Sequence, residues 1–401
     1  MNGHYVRAFA IAASVAILAA CSGGSMNQTL PGGTTGGTTG AVAPNAIGSA
    51  QAVCAAIQPR GFARCFSFVR SDMKSLVKPD AGAYGPSDLQ TAYNLPSSTN
   101  GGGQTVGIVD AFDNPNAESD LGVYRSHYSE TACTTANGCF KKVNQTGGTS
   151  YPPGNQNWGA EISLDLDMVS AICPKCHIVL VEATDNSFKN LAIAELEAGA
   201  QGAGQISNSY GGSEFAKTNS SYNIKHVVIT ASSGDSGYGP SQPCSWKTVV
   251  CVGGTTLSKV SPRTEASWTG AGSGCSAKVA KPKWQTDTGC KMRSESDVSA
   301  TANPAFPVAV YDTYGYGGWT GFGGTSVASP IIASVFALAG NHATQKDAKG
   351  IWAAGGSSNL NDITTGGTNG SCPPAYPYIC KPGVGYDGIT GMGTPNGVGA
   401  F

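Results

Sequence analysis

The chain has 401 residues, enough to bury a large core, and only 12% of them are charged. With 56 glycines as well, this composition indicates a compact, loop-rich extracellular protein rather than a cytosolic one. The formal net charge of −1 gives no reason to expect a nucleic-acid partner.

The N-terminus carries the features of an export signal. An apolar run at residues 8–20 follows Arg7 and is too short to span a bilayer. The Leu-Ala-Ala-Cys sequence at 18–21 resembles a bacterial lipobox, in which Cys21 would be lipidated; a plain signal peptide with a chance cysteine is the alternative. No other segment reaches transmembrane length. We therefore predict a signal peptide at residues 1–21 and an exported protein, either a bacterial lipoprotein or a secreted one.

Composition divides the rest of the chain into three parts. Residues 22–51 are rich in Gly, Thr, Ser and Pro and predict a flexible tether. Residues 52–80 hold a small apolar patch with Phe62, Phe66, Phe68 and Val69, and we interpret them as a short pro-segment or N-terminal extension. Residues 81–401 are the predicted main domain.

The cysteines also favour export. Apart from Cys21 they are even in number, which in an exported chain favours disulfides, although the connectivity stays open. The CxxC at 173–176 is read as a local disulfide rather than a redox or zinc motif, because no second CxxC or histidine pair accompanies it. The sequence-adjacent couples are Cys54 and Cys65, Cys133 and Cys139, Cys173 and Cys176, Cys244 and Cys251, Cys275 and Cys290, and Cys372 and Cys380.

Strand and helix patterns alternate through the main domain. The predicted elements are a short helix within 84–95, a strand at 105–109, a helix at 161–171, a strand at 177–181, a helix at 188–200 and strands at 205–209 and 227–231. This alternation predicts a doubly wound parallel sheet. Functional groups gather beyond the carboxyl ends of such strands, and Asp110, Ser209 and Asp235 each follow a predicted strand.

The most informative residue is Ser326, which follows two glycines and opens an apolar helical run. At that position it could be an ordinary N-cap, or a nucleophile placed beside free backbone N–H groups. A serine nucleophile needs a base, and none of the 5 histidines stands in the His-Gly-Thr context of a subtilisin-type base.

Acidic residues are the remaining candidates for the base. Glu161 and Asp165 are four residues apart, so on a helix they lie on one face and could share a hydrogen bond. Two carboxyls in a poorly hydrated site cannot both ionise easily. A purely structural explanation is that acids in the first turn of a helix are stabilised by the helix dipole. Asp235 lies in a glycine turn, where a structural role would suffice.

The order Glu161, Asp165, Asp235, Ser326 in these contexts resembles the sedolisin family of serine-carboxyl peptidases, from about Tyr84 to the C-terminus. The resemblance implies an α/β fold: a subtilisin-like three-layer sandwich with a mostly parallel central sheet, flanking helices and, in this chain, local disulfides. It implies that Ser326 is the nucleophile, that Glu161 tuned by Asp165 is the base, and that a protonated Asp235 donates to the oxyanion.

The same resemblance implies binding residues. Ser209, Tyr210 and Gly211 would pair with the backbone of an extended peptide. One calcium ion would be held by carboxylates and backbone carbonyls, which are the oxygen ligands that this cation prefers. The implied ligands are the side chains of Asp362 and Asp387 and the carbonyls of Ile363, Gly383 and Gly385.

The sequence therefore predicts an exported, monomeric serine-carboxyl endopeptidase that acts on proteins or peptides at acidic pH. Two alternatives stay open. One is a conventional subtilase that uses Asp110, a histidine and Ser326. The other is a non-catalytic surface lipoprotein that binds peptides.

Overall fold

The computed structural model describes residues 50–56, 58–73 and 82–401. The predicted signal peptide, the lipobox at Cys21 and residues 22–49 of the predicted tether lie outside these ranges. The described residues belong to one compact unit, Pro44–Phe401.

The regular elements are given in chain order. The helices are α1 (Pro86–Ala92), α2 (Ala117–His127), α3 (Gln156–Ile172), α4 (Phe188–Ala200), α5 (Thr325–Ala339) and α6 (Lys349–Ala353), with 3₁₀ turns at Ser71–Met73, Ser220–Tyr222 and Pro377–Ile379. The strands are β1 (Ala50–Ala52), β2 (Arg64–Cys65), β3 (Phe68–Arg70), β4 (Thr105–Ala111), β5 (Phe140–Asn144), β6 (His177–Ala183), β7 (Gln205–Asn208), β8 (Tyr210–Ser213), β9 (Val228–Ser232), β10 (Ser241–Gln242), β11 (Val250–Lys259), β12 (Thr264–Ser267), β13 (Gly274–Ala280), β14 (Met292–Glu295), β15 (Val298–Thr301), β16 (Val308–Asp312), β17 (Gly318–Gly323), β18 (Leu360–Asn361) and β19 (Thr394–Pro395).

An 8-stranded sheet organises the main domain, in the order β12-β11-β9-β7-β4-β6-β5 with β15 also paired to β11. All of its pairings are parallel except that of β11 with β12. Six of the seven β4 residues are buried, as expected for a parallel strand that is covered on both faces.

Two groups of helices cover the sheet. Helix α3 contacts both α2 and α5. Helix α5 also contacts β4, β7, β9, β11 and β15. Helix α4 contacts β4 and β6 and belongs to the other group. The N-cap of helix α3 is Asn155, whose side chain accepts hydrogen bonds from the backbone N–H groups of the first turn. Residues 325–338 of α5 are all buried, so this helix runs through the core.

The predicted three-layer fold is confirmed, and three local features need correction. Helix α3 begins five residues before the predicted start, so Glu161 does not lie in the first turn and the helix-dipole explanation for it is wrong. Strand β4 extends to Ala111, so Asp110 lies inside the strand rather than after it. The N-cap of α5 is Gly324, so Ser326 does not cap the helix.

The six neighbouring cysteine couples are all joined as disulfides. Among the described residues, no helix is both long and apolar enough to cross a bilayer.

The N-terminal strands are built into the main domain rather than set apart from it. Strand β3 pairs antiparallel with both β1 and β17, and β2 pairs antiparallel with β8. Because β17 leads into α5 and β8 follows β7, residues 64–70 run between the elements that carry Ser326 and Ser209.

Candidate active site

Three elements bring the predicted catalytic residues together. Glu161 and Asp165 lie on α3, Ser326 lies in the first turn of α5, and Asp235 follows β9. Helices α3 and α5 pack against each other, and Glu161, Asp165 and Ser326 are each 0% exposed. Ionisable side chains are rarely buried so completely without a partner, which marks this part of the core as unusual.

Glu161 is a carboxyl with a strong tendency to hold a proton. Burial, and then the neighbouring Asp165, raises its pKa well above the usual range, while hydrogen bonding from the hydroxyls of Ser326 and Ser67 opposes the rise. The Ser67 hydroxyl donates to Glu161 Oε2. The other oxygen of Glu161, Oε1, has no hydrogen-bond partner among the described residues, and the Ser326 hydroxyl donates elsewhere, to the Ser209 carbonyl oxygen.

Asp165 supports Glu161 from the next turn of α3. It accepts a hydrogen bond from Ser209 Oγ at 2.7 Å, and burial raises its pKa well above the usual value although this bond lowers it. Its other oxygen, Oδ2, accepts from no donor within the described ranges. Since the charge of Asp165 raises the pKa of Glu161, one proton on the pair leaves it with a single negative charge.

Ser326 uses both its backbone and its side chain. Its hydroxyl donates to the Ser209 carbonyl oxygen at 3.1 Å. Its backbone N–H donates to the carbonyl oxygen of Phe66 at 3.0 Å. This N–H lies at the start of α5, where backbone donors have no partner inside the helix. No histidine in the described part of the chain hydrogen-bonds to Ser326; His226 and His342 bond through Nδ1 to backbone carbonyls.

Asp235 faces the same peptide carbonyl. Its Oδ1 accepts from the backbone N–H and the hydroxyl of Thr325, each at 2.8 Å. Its Oδ2 is buried and has no hydrogen-bond partner among the described residues. Burial raises the pKa of Asp235 to about 7, against the lowering effect of both Thr325 bonds. Below that pH Asp235 is protonated and can donate.

Gly324 makes this approach possible. Its φ of +104° disfavours other residues, and a Cβ there would lie 2.3 Å from Phe66 O and 2.6 Å from Asp235 Oδ2. A residue with a side chain at position 324 would therefore collide both with the carbonyl oxygen that accepts the Ser326 N–H and with the Asp235 oxygen that is unpaired among the described residues.

The predicted substrate-binding strand pairs with extended backbone. Arg64 and Cys65 pair antiparallel with Gly211 and Tyr210, and the Phe66 N–H donates to Ser209 O at 3.1 Å. The extended segment that pairs with β8 is therefore part of the same chain.

Sequence reasoning missed several residues of this site. Asp110 follows a predicted strand, and the sequence alone allows it either to extend a hydrogen-bond network to Glu161 and Asp165 or to cap a turn. It is 0% exposed, and its pKa is raised by burial first and then by the charges of Asp165, Glu161 and Glu182. Phe66, Ser67 and Thr325 also contact the site, and nothing in their local sequence signals it.

The predicted calcium residues lie together in the C-terminal region. Asp362 Oδ2 accepts from Gly385 N at 2.8 Å, and Asp387 accepts from Thr390 and, at 3.4 Å, from Gly383 N. Burial raises the pKa of Asp387 to about 7. Among the described residues no hydrogen bond to the carbonyls of Ile363, Gly383 or Gly385 is formed.

The chain was compared with known proteins. No family model matches it. It is similar to kumamolisin from Bacillus sp. (strain MN-32), with 26% identity over 368 residues that cover 79% of this chain and 62% of kumamolisin. The chain therefore matches less than two thirds of that relative.

Solved structures share the fold. Pseudomonas sedolisin, a serine-carboxyl proteinase complexed with two molecules of pseudo-iodotyrostatin, matches with a TM-score of 0.65 and 24% identity, over 79% of this chain and 96% of that one. Sphericase matches with a TM-score of 0.51 and 17% identity, over 79% and 99%. The predicted sedolisin-like sequence and subtilisin-like fold are confirmed.

The buried carboxyls predict how stability depends on pH. The pKa of Asp110 is raised in the folded state, so its stabilising contribution is complete below the unfolded pKa and is lost as pH rises through the folded pKa. We expect Asp110→Asn, which stays neutral, to remove at least about 1 kcal/mol of the decline in unfolding free energy between pH 4 and pH 8. Denaturant unfolding with the disulfides intact measures this.

The matched control is Asp185→Asn, at a turn where hydrogen bonds to Ser187 lower the carboxyl's pKa. Asp185→Asn should show the same decline in unfolding free energy between pH 4 and pH 8 as the native chain. Equal pH slopes in the native chain and Asp110→Asn would contradict the raised pKa.

Proposed function

Because the chain is sedolisin-like in sequence and subtilisin-like in fold, we propose that it is a serine-carboxyl endopeptidase that cleaves proteins or peptides through an acyl-enzyme on Ser326. One observation carries the proposal. The Phe66 carbonyl accepts the Ser326 N–H at 3.0 Å, and the next residue, Ser67, donates its hydroxyl to Glu161. A Cβ on Gly324 would lie 2.3 Å from the same carbonyl oxygen and 2.6 Å from Asp235 Oδ2. A scaffold that only bound peptides would not need buried acids there.

The chemistry follows from these positions. Ser326 Oγ attacks the carbonyl carbon, and the ionised carboxyl of the Glu161–Asp165 pair accepts its proton through Glu161. The oxyanion is held by the Ser326 N–H and by protonated Asp235. Glu161 then returns the proton to the leaving amine. In the second half of the reaction water attacks the acyl-enzyme, with Glu161 again as base.

These roles favour catalysis at a pH below neutral. Asp235 must be protonated to donate, and its pKa is about 7. The Glu161–Asp165 pair must carry one negative charge, which the hydroxyls of Ser326, Ser67 and Ser209 stabilise. The conventional-subtilase alternative is less well supported, because the described residues give Ser326 no histidine partner.

The direct test of the function is turnover of a denatured protein below neutral pH. We expect Ser326→Ala to abolish cleavage and Glu161→Gln to lower kcat about 10²- to 10⁴-fold, the usual contribution of general acid–base catalysis. Glu197→Gln, on the surface of α4, is the matched control and should retain full activity. Robust cleavage by Glu161→Gln would exclude Glu161 as the base.

Thr325 gives a sharper test of Asp235. Its hydroxyl lowers the pKa of Asp235, so Thr325→Val should raise that pKa. The alkaline decline of kcat/KM should then move to higher pH by roughly half to one unit. Thr320→Val is the control, because Thr320 is buried with its hydroxyl unpaired among the described residues. A shift to lower pH in Thr325→Val would contradict the oxyanion role.

We also propose a structural calcium ion at the C-terminal cluster. Asp387 is a buried carboxyl without a cationic side chain among its hydrogen-bond partners, and Asp362 lies beside it through Gly385. With three carbonyl oxygens that accept no hydrogen bond among the described residues, the donor set is the hard, oxygen-rich kind that calcium prefers.

A chelator should lower the melting temperature of the native chain by roughly 5 °C. Asp387→Asn should start from the lower melting temperature and no longer respond to chelator or to added calcium. Equal chelator responses in both chains would exclude this site.

The six disulfides support export to an oxidising compartment. A lipid on Cys21 and a monomeric state remain parts of the proposal.

A further inference from the structure

A buried asparagine from an exposed loop lies next to the turn that carries Asp235. Asn369 is 6% exposed, whereas its neighbours at 364–368 and 370–371 are all exposed. A polar side chain is costly to bury unless it is hydrogen-bonded. The hydrogen bonds of Asn369 therefore indicate what this loop is held against.

Asn369 bonds to two neighbouring segments at once. One is the Asp235 turn, residues 233–239, and the other is the supporting segment, residues 268–273. The Asn369 side chain donates through Nδ2 to the Ala271 carbonyl oxygen at 2.7 Å and to Ser273 Oγ at 2.9 Å. Its backbone carbonyl oxygen accepts the Tyr238 N–H at 2.9 Å. Asn369 thus joins the supporting segment to the Asp235 turn.

The supporting segment holds the Asp235 turn on both sides of the acid. Before Asp235, the Gly272 N–H donates to the Gly234 carbonyl oxygen at 2.7 Å. After it, the Gly237 N–H donates to the Gly270 carbonyl oxygen at 2.8 Å. Because these bonds flank Asp235, its position depends on the supporting segment staying in place.

The burial of the Asp235 carboxyl depends on this turn rather than on depth in the core. The next residue, Ser236, is exposed, and Asp235 as a whole residue is only partly buried. Its Oδ2 is nevertheless buried without a hydrogen-bond partner among the described residues. A turn that moved outward would let water reach this oxygen.

The charged groups that face Asp235 belong to other elements. Arg64 lowers the pKa of Asp235, and the charge of Asp235 raises the pKa of Glu161 on α3. Arg60 and Glu214 line the same cavity as Asp235. The supporting segment has no ionisable side chain, and the Asn369 amide is neutral. Asn369 can therefore act on Asp235 through its position and hydration, not through charge.

The loop that carries Asn369 is itself closed. The Cys372–Cys380 disulfide begins three residues after Asn369, and the Asn369 N–H donates to the Cys380 carbonyl oxygen at 3.1 Å. A loop that is already closed loses less entropy when it holds a side chain in one place. The amide of Asn369 is thus preorganised against the supporting segment.

We propose that Asn369 is a positioning residue for Asp235, which holds the supporting segment against the Asp235 turn and so keeps water from the carboxyl. The inference rests on the proposed function only for its consequence, which is that loss of Asn369 narrows the active pH range from the alkaline side.

The test measures the pKa of Asp235 in Ser326→Ala, so that no turnover is needed. Carboxyl ¹³C NMR follows the acid, and the signal is assigned by its loss in Ser326→Ala/Asp235→Asn. Added to Ser326→Ala, Asn369→Ala removes the donor to Ala271 and Ser273, which loosens the supporting segment. Water that reaches the carboxyl stabilises its charged form, so we expect the pKa of Asp235 to fall by roughly half to one unit.

The matched control is Asn100→Ala, because the Asn100 amide also joins a loop to a backbone carbonyl, that of Leu338 at 2.9 Å. Leu338 lies near the opposite end of α5 from Ser326, roughly 18 Å along the helix. This variant should leave the pKa of Asp235 within about 0.2 unit of its value in Ser326→Ala. An unchanged pKa in Asn369→Ala would overturn the proposal, as would an equal fall in Asn100→Ala.

A second variant covers the case in which Asn369→Ala fails to fold. Ser273→Ala, also in the Ser326→Ala chain, removes one of the two acceptors of the Asn369 amide and keeps the bond to Ala271. The pKa of Asp235 should then fall by a smaller amount. No fall would overturn the role of Asn369.

The consequence for catalysis is measured with Ser326 intact. Asn369→Ala should move the alkaline decline of kcat/KM to lower pH by the same amount as the pKa of Asp235, and kcat at acidic pH should be retained because Asp235 is protonated there. A profile that stays in place although the pKa falls would overturn this consequence. If the pKa falls as expected while the chain never cleaves a substrate, the proposed function fails and the assignment of Asn369 stands.

Discussion

The site depends on the burial of carboxyl groups that have no cationic partner at hydrogen-bond distance within the described part of the chain. Glu161, Asp165 and Asp110 lie in the core, and burial is the largest cause of the raised pKa of each. An isolated charge in such a place is costly, so the acids retain protons and share charge. In the proposed function, proton sharing among these acids takes the place of the imidazole that a serine nucleophile usually employs.

The fold explains how these acids can be buried. Helices α3 and α5 pack together next to the parallel sheet, and each is buried along most of its length. Hydroxyls supply the polar contacts, from Ser209 to Asp165 and from Thr325 to Asp235. Because hydroxyls stabilise a carboxylate without adding charge, they adjust the pKa values of the acids and leave the site poorly hydrated.

The part of the site that was predictable from sequence is the part encoded locally. The spacing of Glu161 and Asp165 predicted a shared helix face, and Ser326 stood before a helix that the structure contains. The contacts of Phe66 and Ser67 were not predictable, because they depend on the pairing of β2 with β8 and of β3 with β17. In both cases the partner strand is distant in the sequence. Short strands of two or three residues carry almost no periodic signal. The start of α3 was missed because Asn155 and its neighbours are polar and lie before the apolar pattern begins.

The most direct measurement is the titration of the Glu161 carboxyl, followed by carboxyl ¹³C NMR in Ser326→Ala and assigned by its loss in Ser326→Ala/Glu161→Gln. The account predicts a titration well above the ordinary value of 4.5, displaced downward when Asp165 is replaced by asparagine, because Asp165 raises the pKa of Glu161. A Glu161 carboxyl that titrates near its ordinary value and ignores Asp165 would contradict a coupled pair of acids as the base.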